Sequence, residues 1–357
     1  MITFLVVNAI LFIIALVLMV AEKYLITYGE CSITINGDTT LDVDGGDNLL
    51  TYLNNHKIFI PSACGGKATC GFCKVKVLSG AGSILPTEEV FVTRSERAEG
   101  IRLACQVRVK QHVELYISEH LMGAEEFESE VVDLYNTTHD IKMLRLKILD
   151  GKRLRFKSGQ YVQFKIPGTD EYRAYSIASP PRSDSIIDLM IRQVPGGLCS
   201  TYVHTALEEG DRVIFTGPFG DFFLQEESRK DIIAIGGGCG MAPIRSILFQ
   251  LVEQGIPRRF YYFFGARSKE DLFFTEEFRE LEEKYPNFHY IPALSEPLPA
   301  DKWEGEVGFI TQTAEKYIDP ERANEAYLCG PPPMINAAIA LLTRKKVRQE
   351  DIYFDQF

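Results

Sequence analysis

The chain opens on twenty residues, 2–21, that carry no charge and whose apolar run is broken only by Thr3 and Asn8. As a helix such a run is about 30 Å long, the thickness of a bilayer core, and it predicts one transmembrane anchor over residues 1–24. A cleaved signal peptide is the competing reading, but no Lys or Arg precedes the run and it is long for the apolar part of a signal. Beyond it the pattern shortens. Apolar alternation at 32–35 and 39–43 flanks N-G-D, a hairpin signal. A short helix is expected over 47–56, then a glycine-rich and cysteine-rich loop, then strands at 74–78, 105–109 and 113–117. These elements make a first domain of residues 30–122, and the acidic stretch 123–130 reads as a linker.

From 124 to 224 further strands are expected at 141–148, 161–166, 174–177, 187–191 and 212–215, with turn signals at short intervals. That spacing predicts an antiparallel β-barrel. Over 225–357 strands alternate with helices: strands at 231–235, 260–264 and 327–328, helices at 243–253, 276–284 and 334–344. This is the pattern of an α/β domain with a parallel sheet. The expected fold class is therefore multidomain, with one N-terminal transmembrane helix, a small α+β domain, an antiparallel barrel and an α/β lobe.

Composition changes this picture little. The chain has 357 residues, 46% of them hydrophobic and 24% charged, as in ordinary globular proteins. Its formal net charge of -11 gives no positive field for phosphate backbones, so no nucleic-acid partner is expected. Cys31, Cys199, Cys239 and Cys329 are scattered, which suits a reducing compartment.

The other four cysteines are not scattered. Residues 61–74 read P-S-A-C-G-G-K-A-T-C-G-F-C-K, placing Cys64, Cys70 and Cys73 in one loop, and Cys105 follows in L-A-C-Q-V. Three thiolates in a glycine-rich loop and one far downstream suit a [2Fe-2S] cluster of the plant-ferredoxin kind, with the first gap one residue longer than the common C-x4-C-x2-C. Structural zinc competes, yet it usually brings a second short C-x-x-C knuckle or histidines, and Cys105 stands alone.

Two further stretches carry candidate chemistry. Residues 173–176 read R-A-Y-S between apolar strands, and 196–202 read G-G-L-C-S-T-Y at an apparent helix start, where free amides and the positive dipole end suit a pyrophosphate. Residues 235–243 read I-G-G-G-C-G-M-A-P between a strand and a helix, so glycines let a dinucleotide approach the backbone and Pro243 sits at the first helical position. It is not G-x-G-x-x-G. Taken singly, each is also a plain strand or turn.

Together, with G-P-F-G at 217–220 and C-G-P-P at 329–332, they resemble the ferredoxin-NAD(P) reductase superfamily. That resemblance implies a β-grasp [2Fe-2S] domain, an FAD barrel and an NAD lobe. It implies that Arg173, Tyr175 and Ser176 hold FAD and that the amides of Gly197, Ser200 and Thr201 meet its phosphates. It places nicotinamide dinucleotide against Gly237, Gly238, Gly240, Met241, Pro243, Gly265, Arg267, Gly330 and Pro331. Tyr175, Ser176, Cys329 and a terminal aromatic, Phe357, are then expected around the reacting rings. In the loop G-A-R-S-K-E-D, Arg267 and Lys269 could greet a 2′-phosphate while Glu270 and Asp271 repel it, so the choice of NADH rests on family.

The order of parts, membrane helix first, resembles the F subunits of the Na+-translocating NADH:quinone reductases, although the barrel with R-A-Y-S-I-A-S-P-P is also similar to oxygenase reductase components. The resemblance implies electron flow from NADH through FAD and the cluster to other membrane subunits of a quinone-reducing complex. The protein would be embedded in the inner (plasma) membrane through residues 2–21, with its catalytic domains cytoplasmic. A reductase feeding an oxygenase or hydroxylase, and a non-enzymatic redox relay or sensor, are the alternatives.

Overall fold

A computed structural model describes residues 2–25, 28–169, 171–183 and 185–356, and the chain divides into two compact units between Gly123 and Ala124. Phe357 lies outside the described residues.

The first unit begins with α1 (Ile2–Leu25), a helix of 24 residues. Its described side chains, which run as far as Val17, are exposed, and Asn8 satisfies its amide on the Phe4 carbonyl at 2.8 Å. Among the described residues no helix is long and apolar enough to cross a membrane.

A five-stranded mixed sheet follows, built from β1 (Glu30–Ile35), β2 (Thr39–Asp44), β3 (Lys74–Ser79), β4 (Ile101–Leu103) and β5 (Val113–Tyr116) in the order β2-β1-β5-β3-β4. β1 and β5 run parallel and the other pairs antiparallel. The hairpin expected around N-G-D is present as β1 and β2. Helix α2 (Leu49–Asn55) buries Leu49, Leu50 and Leu53 on this sheet, and its N-cap Asn48 accepts from the Thr51 amide at 2.9 Å. Short turns α3 (Pro86–Glu89), α4 (Arg94–Ala98) and α5 (Glu119–Met122) complete the unit. Residues 105–109 are not the strand expected. Their main chain is committed to the start of α2 instead: Leu49 N–H donates to Val107, Gly46 N–H to Val109, and Val109 N–H to Asp47.

In the second unit, β6 (Glu125–Asn136), β7 (Ile141–Ile148), β8 (Tyr161–Lys165), β9 (Tyr172–Ser176), β10 (Ile186–Arg192) and β11 (Arg212–Phe219) form an antiparallel sheet in the order β10-β7-β6-β11-β8-β9. A bridge between Ile177 and Leu189 joins its ends and closes the barrel. The acidic stretch expected as a linker is the first half of β6: Phe127, Ser129 and Val131 point inward and the glutamates between them face solvent. Helix α6 (Leu198–Thr205) covers the barrel after β10.

The last part is a parallel sheet, β15-β14-β13-β12-β16-β17, of β12 (Asp231–Gly237), β13 (Phe260–Ala266), β14 (Phe288–Leu294), β15 (Glu306–Val307), β16 (Asn324–Gly330) and β17 (Ile352–Gln356). Helices α7 (Met241–Glu253) and α8 (Thr275–Lys284) pack on one face, and α9 (Ile310–Tyr317) and α10 (Pro332–Arg344) on the other. β15 covers only the end of β14, at Ala293 and Leu294. Nearer the start of β14, Glu282 accepts from the Tyr290 N–H at 3.1 Å and Arg279 donates to the Tyr290 carbonyl at 2.9 Å.

Candidate functional site

In the first unit the loop between α2 and β3 turns through left-handed backbone at Gly65, Gly66, Ala68 and Gly71. At Gly71 a side chain would meet the ring of Phe91 at 2.6 Å, so only glycine lets the loop lie this close. The loop brings the sulfurs of Cys64 and Cys70 to 3.3 Å, while Cys73 pairs with Cys105. Among the described residues no three His, Cys, Asp or Glu side chains converge on a point that suits one metal ion. Two pairs of sulfurs are what two bridged irons need, and a single tetrahedral zinc needs one set of four.

Within each pair one sulfur is favoured as the thiolate and its partner keeps the proton. The Cys70 thiol donates to Cys64 and, against burial, pulls it down to about 4, with help from the Thr69 and Cys70 amides. Cys105 is lowered chiefly by the Cys73 thiol, opposed by burial and assisted by Gln106, whose Nε2 stands 3.7 Å from the sulfur. Cys70 and Cys73, which hold the shared protons, are raised. The amides of Ala68, Thr69, Cys70 and Phe72 are aimed at these sulfurs, the donors that cluster sulfur charge requires. Donor set and backbone both fit a [2Fe-2S] cluster.

Near Cys105 in the chain's fold, at the strand that leads into it, Glu88 is fully buried and pairs with Arg102 at 2.6 Å. Its carboxylate also accepts the Leu85 and Leu103 amides at 2.9 and 3.1 Å, and Arg102 donates to the Ala81, Gly82 and Ser83 carbonyls. The pair thus joins the 81–85 loop to the strand that leads into Cys105.

In the second unit, β9 carries Arg173, Tyr175 and Ser176, paired with β8 at Phe164, Val162 and Tyr161. Arg173 lies 2.7 Å from Glu171. Burial pushes the Tyr175 hydroxyl up, and the Cys199 thiol hydrogen-bonded to it adds to the effect. Cys199 is also raised by burial, while Tyr175 and the positive field of Arg173 act against that rise, so these three side chains meet at the start of α6.

Two of the three amides expected for the phosphates are used internally. Gly197 N–H donates to the Val194 carbonyl and Thr201 N–H to Gly197, both at 2.9 Å. The Ser200 hydroxyl accepts from the Val194 amide at 3.1 Å. Gly197 caps α6 without a side chain. Among the described residues the amides left for an anion are those of Leu198, Cys199 and Ser200, the first turn of the helix. Sequence reasoning missed Leu198 and Cys199, although counting from the cap finds them.

At the carboxyl ends of the parallel strands, Gly237 stands opposite Gly265, and Gly236 opposite Cys329. Gly237 approaches the Gly265 carbonyl and Met334, Gly240 approaches the Cys329 carbonyl so closely that a side chain there would clash, and Gly330 lies against the end of the Met334 side chain. Backbone is thereby exposed to a dinucleotide. Pro331 is exposed at the cap of α10, and Arg267 pairs with Glu296 at 3.3 Å. Met241, Pro243 and Cys329 are buried, so the side chains of the first two serve the core and only their backbone can meet a ligand. Burial also raises the Cys329 thiol well above its ordinary value. Arg192, which no sequence motif singles out, ends β10 with its guanidinium against Gly238 and 3.0 Å from Asp140. Its only sequence signal is a basic residue closing an apolar strand.

Three family models match: a 2Fe-2S iron-sulfur cluster binding domain over residues 33–110, an oxidoreductase FAD-binding domain over 128–224 and an oxidoreductase NAD-binding domain over 234–339. The chain is 36% identical to the F subunit of the Na(+)-translocating NADH-quinone reductase from Neisseria meningitidis, over 98% of this chain and 97% of that one. The corresponding F subunit from Pseudoalteromonas atlantica is 37% identical with the same coverage. The chain belongs to this F-subunit family. As an F-subunit homologue it binds FAD, NAD and a [2Fe-2S] cluster through its three domains. Among solved structures it is similar to a cytochrome P450 reductase of Amycolatopsis, with TM-score 0.75 and 30% identity over 92% of this chain and 98% of that one. It is also similar to the ferredoxin reductase of a carbazole 1,9a-dioxygenase, with TM-score 0.71, 25% identity and the same coverage.

Proposed function

We propose that this protein is the NADH-oxidising, membrane-anchored subunit of an ion-translocating NADH:quinone reductase, passing electrons from NADH to membrane partner subunits. The observation that carries the reading is the two-plus-two arrangement of Cys64, Cys70, Cys73 and Cys105 in a chain that also holds the flavin and dinucleotide lobes. Bound FAD would supply the exchange between the two-electron chemistry of NADH and the one-electron chemistry of the cluster. The chain's own part is orientation. Arg173 and the first-turn amides of α6 hold the flavin phosphates, Tyr175 and Ser176 line the ring, and the glycine turn with Gly265 and Gly330 admits the dinucleotide.

Membrane anchoring is supported by α1, whose described side chains present large apolar groups such as Phe4, Ile10, Phe12 and Leu16 to the surroundings. Because the run contains no ionisable side chain, ion movement belongs to partner subunits. A reductase serving an oxygenase is the second reading, favoured by the structural likeness to the P450 and dioxygenase reductases.

The test is the visible spectrum of the purified full-length protein before and after anaerobic NADH. Flavin and [2Fe-2S] absorbance that bleaches with NADH is expected, and Cys64→Ser should lose the cluster bands while the flavin still bleaches. A colourless, zinc-containing protein would refute the reading.

A further inference from the structure

Within the second unit, barrel and dinucleotide lobe are joined along α7 by polar contacts from consecutive residues. Arg245 donates from Nη1 to the Ala178 carbonyl at 3.2 Å, approaches Asp188 Oδ2 at 3.8 Å, and from Nη2 reaches Glu277 of α8 at 3.2 Å. The Ser246 hydroxyl donates to the Ser179 carbonyl at 2.7 Å, and the Ser158 hydroxyl donates to the Ser246 carbonyl at 3.1 Å. Asp188 is fixed in turn: Arg145 grips it in a fork at 2.7 and 3.0 Å, and the Ser179 hydroxyl accepts its amide at 3.1 Å. The Arg245 guanidinium is also flanked by the rings of Phe249 and Phe274, at 4.5 and 5.2 Å from their centroids.

The location gives these contacts meaning. Ala178 lies two residues beyond Ser176, on the main chain that leaves β9. Arg245 lies four residues, about one helical turn, beyond Met241, where the glycine turn becomes α7. One guanidinium therefore couples the strand that carries R-A-Y-S to the helix whose start receives the dinucleotide. Its side chain is only 12% exposed, and a desolvated arginine left without its acceptors is costly, so slippage of α7 along the barrel is resisted. Hydride transfer is sensitive to such slippage, since a misplacement of about 1 Å can cost on the order of a hundredfold in rate.

We propose that Arg245 is a positioning residue for hydride transfer: by clamping α7 to the Ala178 carbonyl and Asp188 it sets the distance and angle between nicotinamide and flavin. The inference rests on the reading of these lobes as flavin and dinucleotide sites. Ser246 is the auxiliary clamp. Arg245 and Ser246 donate to the main-chain carbonyls of Ala178 and Ser179, so both act through the main chain they hold.

The test uses the full-length protein in rapid mixing with NADH under anaerobic conditions, comparing the parent with Arg245→Ala, Arg245→Lys and Ser246→Ala. For Arg245→Ala, FAD content and the NADH dissociation constant should stay within about twofold of the parent. The limiting rate of flavin reduction should fall at least tenfold, and the long-wavelength absorbance of the nicotinamide–flavin complex should weaken. Arg245→Lys, which keeps one donor for Ala178 but loses the second nitrogen that reaches Glu277, should recover part of the rate. A merely structural role would lower FAD content or thermal stability while FAD-loaded molecules reduce at the parental rate, and that result overturns the proposal. If Arg245→Ala does not fold, parental limiting rates in both Arg245→Lys and Ser246→Ala overturn it, and a reduced rate in Arg245→Lys supports it. A parent whose flavin NADH does not reduce would overturn the site reading and this inference together. A reducible parent with indifferent variants overturns the inference alone.

Discussion

Gly240 presses its α-carbon against the carbonyl of Cys329, so that even one methyl group added there would overlap the Cys329 oxygen. The clash is with backbone on a buried central strand, which cannot retreat. Gly240→Ala should therefore displace the glycine turn and raise the NADH dissociation constant at least about tenfold, roughly 1.4 kcal/mol. Flavin and cluster absorbance should persist. Titration of flavin bleaching with NADH decides this, and parental affinity in the variant would contradict it.

Glu88 and Arg102 form a buried pair that organises the approach to Cys105. Burial alone would raise the Glu88 carboxyl, but Arg102 and the Leu85 and Leu103 amides outweigh it and hold the group below its ordinary range. Removing one partner strands the other charge, so Glu88→Ala is expected to destabilise the first unit by about 3–5 kcal/mol. Because the folded value is depressed, this contribution is present at neutral pH and fades as pH falls through it. Loss of cluster absorbance on heating, recorded for parent and variant, measures the effect. Equal midpoints would count against it.

Arg267, one of the two cations expected near a 2′-phosphate, is paired with Glu296. The carboxylate engages the guanidinium and would repel a third anion, which would disfavour the 2′-phosphate of NADPH. In Glu296→Gln the ratio of kcat/KM for NADPH to that for NADH should rise on the order of tenfold, less at high salt because both side chains are largely solvated. A ratio that does not move would leave the preference to other residues.

Asp355 stands opposite Cys329 in the pairing of β16 with β17. Burial pushes its carboxyl from 3.8 up to about 6, only partly offset by the Gln356 amide. A raised acid favours the protonated folded form, so its contribution to stability is complete below 3.8 and is lost as pH rises through about 6. Asp355→Asn should remove that fall. Urea midpoints of parent and variant between about pH 4 and 7 should diverge with rising pH, the variant becoming relatively more stable, and parallel curves would refute the assignment.

Much of this site can be read from the chain, because backbone demands leave marks in residue type. The four cysteines proposed as ligands, R-A-Y-S and the glycine turn are legible from order and spacing. Their arrangement is not: nothing in C-G-G-K-A-T-C-G-F-C shows that Cys64 pairs with Cys70 and Cys73 with Cys105, since that depends on how the loop folds back. β6 reads as a linker because its outward glutamates hide the inward Phe127 and Val131. β14 escapes notice because Pro292 argues against a strand, and here it occupies the outermost full-length strand, where an absent N–H is tolerated. The 105–109 segment has strand-like residues whose main-chain bonds go to Gly46, Asp47 and Leu49 instead of to a neighbouring strand.

The side chains of Arg279 and Glu282, by taking the outward carbonyl and amide of Tyr290, act as a counterfeit neighbour strand. With Pro292 offering no donor two residues further on, a foreign segment finds no ladder to extend. The flank of the dinucleotide lobe is thus guarded against fibril-like self-association, and replacing Arg279 and Glu282 together by alanine would unlock it.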